Sequence, residues 1–153
     1  MSMIIEKQFS IFMVNKPGIM AQILSEFARA KINIIALTVM DSVEHGVLRI
    51  VPESADKMRD VLNHINMQFN ETEVLCVTLP NRAGAFAAVA EKLAKAHINI
   101  AYAYVTAGAK GCKTSAVLKV ADVKKAMKIL GESLESDSDS HQAERRPPTS
   151  RQG

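Results

Sequence analysis

The chain has 153 residues and a formal net charge of +3, which would suit a small anion or a nucleic acid as partner but selects neither. Aromatic residues make up only 5% of it and tryptophan is absent, so any core must be largely aliphatic. No apolar run approaches the ~20 residues that a membrane span needs, and the first residues lack the features of a signal peptide. We therefore expect a cytoplasmic protein without a membrane partner, in which the widely spaced Cys76 and Cys112 are free thiols.

Strand and helix patterns alternate through the first half of the chain. An alternating, apolar run over residues 3–14 predicts a strand with apolar side chains on both faces. A helical pattern then continues to about residue 30, with apolar side chains spaced three and four residues apart. The other predicted elements of this half are a strand over 34–40, a loop over 41–46, a strand over 47–51, and a helix that Ser54 can cap. The order β-α-β-β-α is that of a ferredoxin-like unit.

The second half of the chain repeats the first. Residues 15–34 read NKPGIMAQILSEFARAKINI and residues 81–100 read NRAGAFAAVAEKLAKAHINI, with eight identical positions at an offset of 81 − 15 = 66. A period of this length indicates two like structural units. We expect an α+β protein with a first unit over 3–72 and a second over 73–131. Residues 132–153 are rich in Ser, Asp, Glu, Arg and Pro, which predicts a disordered tail.

The second unit has no strand pattern after its last helix, whereas the first unit has one over residues 67–72. At the offset of the repeat, residues 3–7 match residues 69–73 (69 − 3 = 66). We therefore expect residues 3–7 to supply the missing strand, so that the two units lie side by side about a pseudo-twofold axis and exchange edge strands.

No catalytic or metal-binding pattern is visible. The four histidines have no acidic or cysteine partner at ligand spacing, no serine lies in a nucleophile motif, and no glycine pattern marks a phosphate loop. An RNA-recognition module needs exposed aromatic side chains on its central strands, and only Tyr102 and Tyr104 are candidates. A small enzyme such as an acylphosphatase shares the fold, but Lys16 and Arg82 fit its anion-binding arginine poorly. We expect no enzyme activity, no cofactor, no metal and no nucleic-acid partner.

The repeated Asn-x-x-Gly turns are the candidate binding feature. Gly18 and Gly84 begin the repeated helices, where a ligand can approach the backbone and free N–H groups favour an anion. Asn15 and Asn81 could bind a ligand through their side-chain amides, or they could be helix caps. Two further asparagines follow the helices, and these could instead provide the left-handed turn that ends each helix.

At these residues the sequence resembles the ACT domain, a small regulatory ligand-binding module. The motif NKPGIMAQIL, ending in INI, and its second copy carry the resemblance, which covers residues 3 to about 131. The whole chain is similar to stand-alone tandem ACT proteins that bind amino acids. Met13 and Leu79 stand where serine-sensing members have a histidine, so the resemblance does not specify serine. The ligand-binding residues it implies are Asn15, Pro17, Gly18, Ile19, Asn33, Asn81, Gly84, Ala85 and Asn99.

The resemblance implies a regulatory or sensor protein that binds an amino acid or similar small ligand and has no catalytic activity. The alternative is a protein-interaction regulator of amino-acid metabolism, similar to the regulators of glycine cleavage, with a vestigial ligand site and a regulated protein partner. We expect a homodimer, because the helix-free face of the sheet carries apolar positions. We also expect each ligand site to combine the repeats, Asn15 with Asn99 and Asn81 with Asn33, and we favour the Asn15 site because Pro17 presets its turn.

Overall fold

The computed structural model describes residues 2–14, 16–41, 45–106 and 112–132. The predicted elements are present, with ends that shift by a few residues. The strands are β1 (Ser2–Val14), β2 (Ile34–Asp41), β3 (His45–Pro52), β4 (Phe69–Pro80), β5 (Ile100–Thr106) and β6 (Lys113–Val120). The helices are α1 (Ile19–Arg29), α2 (Ala55–His64), α3 (Ala85–Lys95) and α4 (residues 123–132). No helix in the described ranges is both long and apolar enough to cross a bilayer.

Two boundaries differ from the prediction. Glu132 was expected in the tail but is helical, and its carboxylate lies 4.0 Å from Lys128 Nζ. The rest of the predicted tail, residues 133–153, lies outside the described residues. The sequence predicted one extended run over residues 67–79, and β4 is indeed unbroken but starts two residues later, at Phe69.

The strands form one antiparallel sheet in the order β2-β3-β1-β4-β6-β5. The long strands β1 and β4 lie at its centre, and each takes part in both repeats. The second part of β1, residues 9–14, pairs with β3, while residues 2–11 pair with β4, so that Met3 lies opposite Val77 and Lys7 opposite Glu73. The first strand therefore completes the second βαββαβ unit, and the expected exchange of strands between two side-by-side units is confirmed.

The centre of the β1–β4 pair is also the centre of the repeat. Lys7 and Glu73 occupy equivalent positions in the two repeats (73 − 7 = 66) and lie directly opposite each other. Such a self-opposed position is found only where a twofold axis crosses an antiparallel pair. Lys7 Nζ and Glu73 Oε1 are 3.6 Å apart, so the chain places an ion pair on the pseudo-twofold axis.

The helices cover one face of the sheet with two separate aliphatic cores. In the first repeat, Phe9, Ile11, Leu48 and Ile50 of the sheet pack against α1 and α2. In the second repeat, the corresponding sheet residues pack against α3 and α4, and Met3 and Ile5 from the N-terminal end of β1 join them. Each core thus follows the alternation of side chains along the strands, since successive residues point to opposite faces.

The opposite, helix-free face carries apolar side chains, as expected, but its centre is covered by other parts of the chain. Val51, Val74 and Val117 on this face are at most 1% exposed within the chain itself. Tyr102 and Tyr104 of β5 extend over them towards β1. Tyr104 Oη donates to Gln8 Oε1 at 2.8 Å, and Gln8 Nε2 donates to Tyr102 Oη at 2.6 Å. The centre of this face is therefore covered within the chain, while Ile4, Phe12 and Val14 of β1, on the same face as Gln8, remain 39–55% exposed. The homodimer stays a prediction.

These contacts also show that the sheet curls towards its helix-free face. Three strand spacings, about 14 Å in a flat sheet, separate β1 from β5, yet Gln8 and the tyrosines are hydrogen-bonded. The Arg49 guanidinium on β3 lies 4.1 Å from the centre of the Tyr102 ring, which joins the two repeats by a cation–π contact. The tyrosines are thus engaged within the chain, and their rings do not form the exposed stacking surface that an RNA-binding sheet needs.

Candidate ligand-binding site

The helices α1 and α3 start in the same way. Ile19 N–H donates to Lys16 C=O, and Ala85 N–H donates to Arg82 C=O, which closes a four-residue turn before each helix. Gly18 and Gly84 are the third residues of these turns, with φ of 87° and 82°. A type II turn needs a positive φ at this place, which glycine adopts without strain. The repeated glycine therefore sets the direction in which each helix leaves its strand.

These two helix starts lack the caps that the other two helices have. The Ser54 hydroxyl accepts from Lys57 N–H at the start of α2, and Asp122 Oδ1 accepts from Lys125 N–H at the start of α4. Among the described residues, α1 and α3 have no side-chain cap and no acidic residue in the first turn. The free N–H groups and the positive end of the helix dipole are therefore available to an external anion at these two places.

A small cavity lies beside each uncapped helix start. The cavity of the first repeat is about 180 Å³ and that of the second about 170 Å³. They are lined at equivalent positions by the end of the first strand, the turn, the first helical turn and the facing hairpin. The first cavity is lined by Met13, Val14, Lys16, Ile19, Met20, Val39, Met40, Asp41 and Gly46. The second is lined by Leu79, Pro80, Asn81, Arg82, Ala85, Phe86, Val105 and Thr114.

The chemistry of both cavities suits a small molecule with a carboxylate. Each contains one basic side chain on the turn, Lys16 or Arg82, next to the free N–H groups of the helix. The walls opposite are apolar and include Val39 in one repeat and Val105 in the other. Both volumes are below the range of drug-sized ligand pockets, which favours a ligand of few atoms.

The structure places the predicted site residues in two groups. Ile19 lines the first cavity, and Asn81 and Ala85 line the second, with Gly18 and Gly84 at the helix starts beside them. Pro17 lies in the turn before α1 and is exposed. Asn15 lies outside the described residues.

Asn33 and Asn99 line neither cavity. Asn33 Nδ2 donates to Glu53 Oε2 at 3.0 Å within the first repeat, and Asn99 is exposed. They do not provide the left-handed turn either, because the residues with positive φ after α1 and α3 are Lys31 and His97. Their proposed role as ligand-binding residues stays a prediction.

The structure does not bring the residues of the two repeats into one cavity. The strand directions place Asn33 and Asn81 at the same end of the sheet, because β2 begins where β4 ends. Three strand spacings, about 14 Å, separate these two strands. Both cavities are lined by one repeat each, so a ligand can be held without the distant asparagine.

Sequence reasoning missed the residues that the facing hairpins contribute to the cavities, above all Val39, Val105 and Thr114. The topology could have revealed them. In a βαββ unit, the turn that follows the first strand and the hairpin between the next two strands lie at the same end of the sheet. The hairpin residues are therefore neighbours of the helix start although they lie more than twenty positions away in the chain.

A larger cavity, about 530 Å³, lies elsewhere, along α1 and beyond the end of α2. Its lining is mostly apolar, and its two charged side chains pair with each other, with Arg29 Nη1 2.9 Å from Glu26 Oε1. It lies along the side of α1, and we regard it as a surface groove. The described residues contain no cluster of three or more side chains that could hold a metal ion.

Comparison with known families agrees with this architecture. A family model for an ACT domain pair matches residues 3–139 of the chain. The chain belongs to the ACT domain pair family. The resemblance expected from the repeated turn is thereby confirmed, as is the α+β fold with βαββαβ units in tandem. No curated protein matches the chain.

Solved structures with this ACT pair architecture include proteins from several sources. Protein BT0572 from Bacteroides thetaiotaomicron is 28% identical, with a TM-score of 0.79 over 86% of this chain and 90% of that one. The regulatory subunit of aspartate kinase from Thermus thermophilus, in its ligand-free form, is 11% identical, with a TM-score of 0.63 over 86% and 96%. A structure of aspartokinase alpha and beta subunits is 19% identical, with a TM-score of 0.59 over 88% and 98%. The two aspartate kinase matches show a shared fold.

Proposed function

We propose that this ACT domain pair is a cytoplasmic, non-catalytic regulatory protein that binds a free amino acid at the uncapped starts of α1 or α3. The single observation that carries the proposal is the contrast between the four helices. Ser54 and Asp122 cap α2 and α4, whereas α1 and α3 begin at a glycine without any side-chain cap and next to a cavity. Helix starts left open beside a cavity are suited to an anionic ligand.

The second support is the composition of the cavities. A basic side chain and free N–H groups favour a carboxylate, and the apolar wall favours a short aliphatic part. The family adds support of a general kind, because the ACT fold is regulatory and recurs in regulatory subunits of aspartate kinase. Asn15, Asn81, Asn33 and Asn99 remain candidates for contacts to the ligand.

A thermal-shift screen of the full chain against the proteinogenic amino acids tests the proposal. A ligand at about 100 times its Kd stabilises the native state by about 2.7 kcal/mol, which raises Tm by several degrees. For each amino acid that raises Tm, the amide that lacks the free carboxylate should give no shift. A flat result for all amino acids, or equal shifts for an amino acid and its amide, would contradict the proposed function.

Charge variants then separate binding at the cavities from binding elsewhere. Lys16→Ala and Arg82→Ala each remove the basic side chain of one cavity, and at least one of them should weaken binding tenfold or more. Lys124→Ala is the matched control, because it removes an exposed positive charge that lines neither cavity. Equal affinity for all three variants would locate the ligand outside the cavities.

We also propose a homodimer, now through the outer strand β2 instead of the helix-free face. β2 lies at one edge of the sheet and exposes Ile34, Ile35, Val39 and Met40 by 39–50%. An apolar outer strand with unpaired backbone groups favours pairing with a second copy. Sedimentation should show a dimer, Ile35→Lys should give a monomer, and Ala101→Lys at the equivalent place on β5 should leave the dimer intact. A monomeric wild-type chain at micromolar concentration would refute this proposal.

A further inference from the structure

The helix layers of the two repeats differ in charge. In the first repeat, α1 and α2 carry three basic and three acidic residues and have no net charge. In the second repeat, α3 and α4 carry five lysines and two glutamates, which gives a net charge of 5 − 2 = +3. Residues 133–139, which follow α4, read SLESDSD and carry a charge of −3. The positive helix layer is thus joined directly to an acidic segment of equal and opposite charge.

The surface groove along α1 indicates where this segment begins. The second hairpin is two residues longer than the first, so equivalent positions after it differ by 68, as in β3 and β6 (113 − 45 = 68). Ile65 and Met67 line the groove as the chain leaves α2. Their equivalents, Ser133 and Glu135, are the first and third residues after α4. By the repeat, the acidic segment therefore begins beside α3.

The side of α3 at this place is basic. Glu26 and Arg29 line the groove of the first repeat and pair with each other at 2.9 Å. The equivalent residues of α3 are Lys92 and Lys95 (92 − 26 = 66), so two lysines stand where the first repeat has an ion pair. Glu91 is the one acidic residue of α3, and the helix keeps a net positive charge that complements the acidic segment.

The sheet position that the first repeat uses at this point is occupied in the second. In the first repeat the chain turns from the groove into β4, whose first residues pair with β1. In the second repeat the equivalent strand is residues 2–7 of β1, with Met3 opposite Val77. The family match nevertheless includes the acidic segment, since it extends to residue 139. The helix layer, and not the sheet, is therefore available for contacts with this segment.

We infer that residues 133–139 bind along α3 of the same chain, with their three carboxylates next to Lys92 and Lys95. Seven residues span at most about 23–25 Å, whereas α3, with 11 residues, is about 17 Å long, so the segment can follow the whole helix. The contact does not depend on a bound amino acid, and it limits the expected disordered tail to residues 140–153.

Paramagnetic broadening of NMR signals in the full chain measures this contact. A nitroxide on Ser138→Cys, in a Cys112→Ser background in which Cys76 stays buried, should broaden the amide signals of α3 and leave those of α1 sharp. A nitroxide on Ser150→Cys is the control in the rest of the tail and should broaden α3 much less. Salt at about 1 M, where the Debye length is about 3 Å, should remove most of the broadening.

Charge reversal identifies the lysines. Lys92→Glu together with Lys95→Glu should abolish the broadening of α3, and the further changes Glu135→Lys and Asp137→Lys should restore it. Arg29→Glu is the matched control, because it reverses the charge at the position of α1 equivalent to Lys95 (95 − 29 = 66) and should leave the broadening of α3 unchanged.

A mixed sample shows which chain supplies the segment. When spin-labelled chains are mixed with isotope-labelled chains that carry no nitroxide, the α3 signals should stay sharp. Broadening in the mixture would show that the segment binds a second copy. Equal broadening of α1 and α3, or broadening of α3 that survives the reversal of both lysines, would show that the segment does not bind at Lys92 and Lys95. Each of these results overturns the inference.

Discussion

Lys31 and His97 adopt a backbone conformation that glycine normally provides. They follow the last residues of α1 and α3 with φ of 56° and 58°. The next residues, Ile32 and Ile98, donate their N–H groups to Phe27 and Leu93 C=O, which is the Schellman arrangement of a helix end. A side chain at this position costs roughly 1–2 kcal/mol, so both turns are held at the expense of stability.

We expect His97→Gly to stabilise the chain by about 0.5–1 kcal/mol, because relief of the left-handed strain exceeds the entropy that glycine loses on folding. Chemical denaturation measures the change. The matched control is Ala96→Gly, one residue earlier at φ −87°, where glycine relieves nothing and should destabilise the chain. A less stable His97→Gly variant would show that the imidazole makes a contact that outweighs the strain.

The two cysteines differ in burial and should differ in reactivity. Cys76 lies on the helix-free face and is 8% exposed, and burial raises the pKa of its thiol to about 11. Cys112 is exposed. At mildly alkaline pH, where Cys76 remains a neutral thiol, a thiol reagent should label Cys112 rapidly and Cys76 only on unfolding. Rapid labelling of the Cys112→Ser variant would show that the helix-free face opens.

The residue scale also shows what local sequence patterns could and could not predict. They identified Gly18 and Gly84 correctly, since a turn into a helix with positive φ is a local property. They left open a left-handed turn at Asn33 and Asn99, but that conformation belongs to Lys31 and His97, two positions earlier, where it is unusual for residues other than glycine. Thr114 was missed as a cavity residue because the cavity forms only where a hairpin meets a helix start.

At the scale of elements, the strands β1 and β4 determine whether the two repeats can be separated into independent domains. Residues Ser2–Lys7 pair with Glu73–Thr78, and Met3 and Ile5 pack into the core of the second repeat. A strand at the N-terminus therefore stabilises elements that lie more than seventy residues further along the chain. The repeats fold as one sheet and not as two independent domains in series.

Deletion of residues 2–7 should destabilise the second repeat more than the first. We expect faster hydrogen exchange in the second half of β4, in β6 and in α4, whose contacts to Met3 and Ile5 are lost. β3 pairs with β1 through residues 9–14, which the deletion keeps, so exchange there should change little. Faster exchange confined to β2 and β3 would contradict the strand exchange.

Strand order could be predicted from the offset of the repeat, but the curl of the sheet could not. The match of residues 3–7 to 69–73 is visible in the sequence and implies the pairing that the structure shows. The contacts of Gln8 and Arg49 with Tyr102 cross three or four strands and depend on curvature, which no local pattern encodes. For this reason the sequence did not reveal that Tyr102 and Tyr104 cover the centre of the helix-free face.

At the scale of the whole molecule, variants of the ion pair between Lys7 and Glu73 can test the pseudo-twofold symmetry. Lys7 and Glu73 are 48% and 47% exposed, so their attraction is worth at most about 1 kcal/mol. Lys7→Glu and Glu73→Lys each place like charges opposite each other and should each destabilise the chain by up to about 1 kcal/mol. The double variant exchanges the charges and should regain the wild-type stability.

A double-mutant cycle in low salt measures this coupling, which high salt should reduce. Two single variants that leave the stability unchanged, or a double variant that adds their losses, would show that the two side chains do not interact across the axis.

The ion pair between Lys7 and Glu73 also bears on how the two halves can diverge under selection. In a homodimer of a single repeat, a residue on the twofold axis faces its own copy, so opposite charges could never meet there. In the covalently joined chain a mutation enters only one half. Gly46 and Thr114, which occupy equivalent places in the two hairpins, can differ for the same reason, so the side chains that line one cavity can change independently of those that line the other. Because the two repeats are joined in one chain, they can keep the same fold and still acquire different functions.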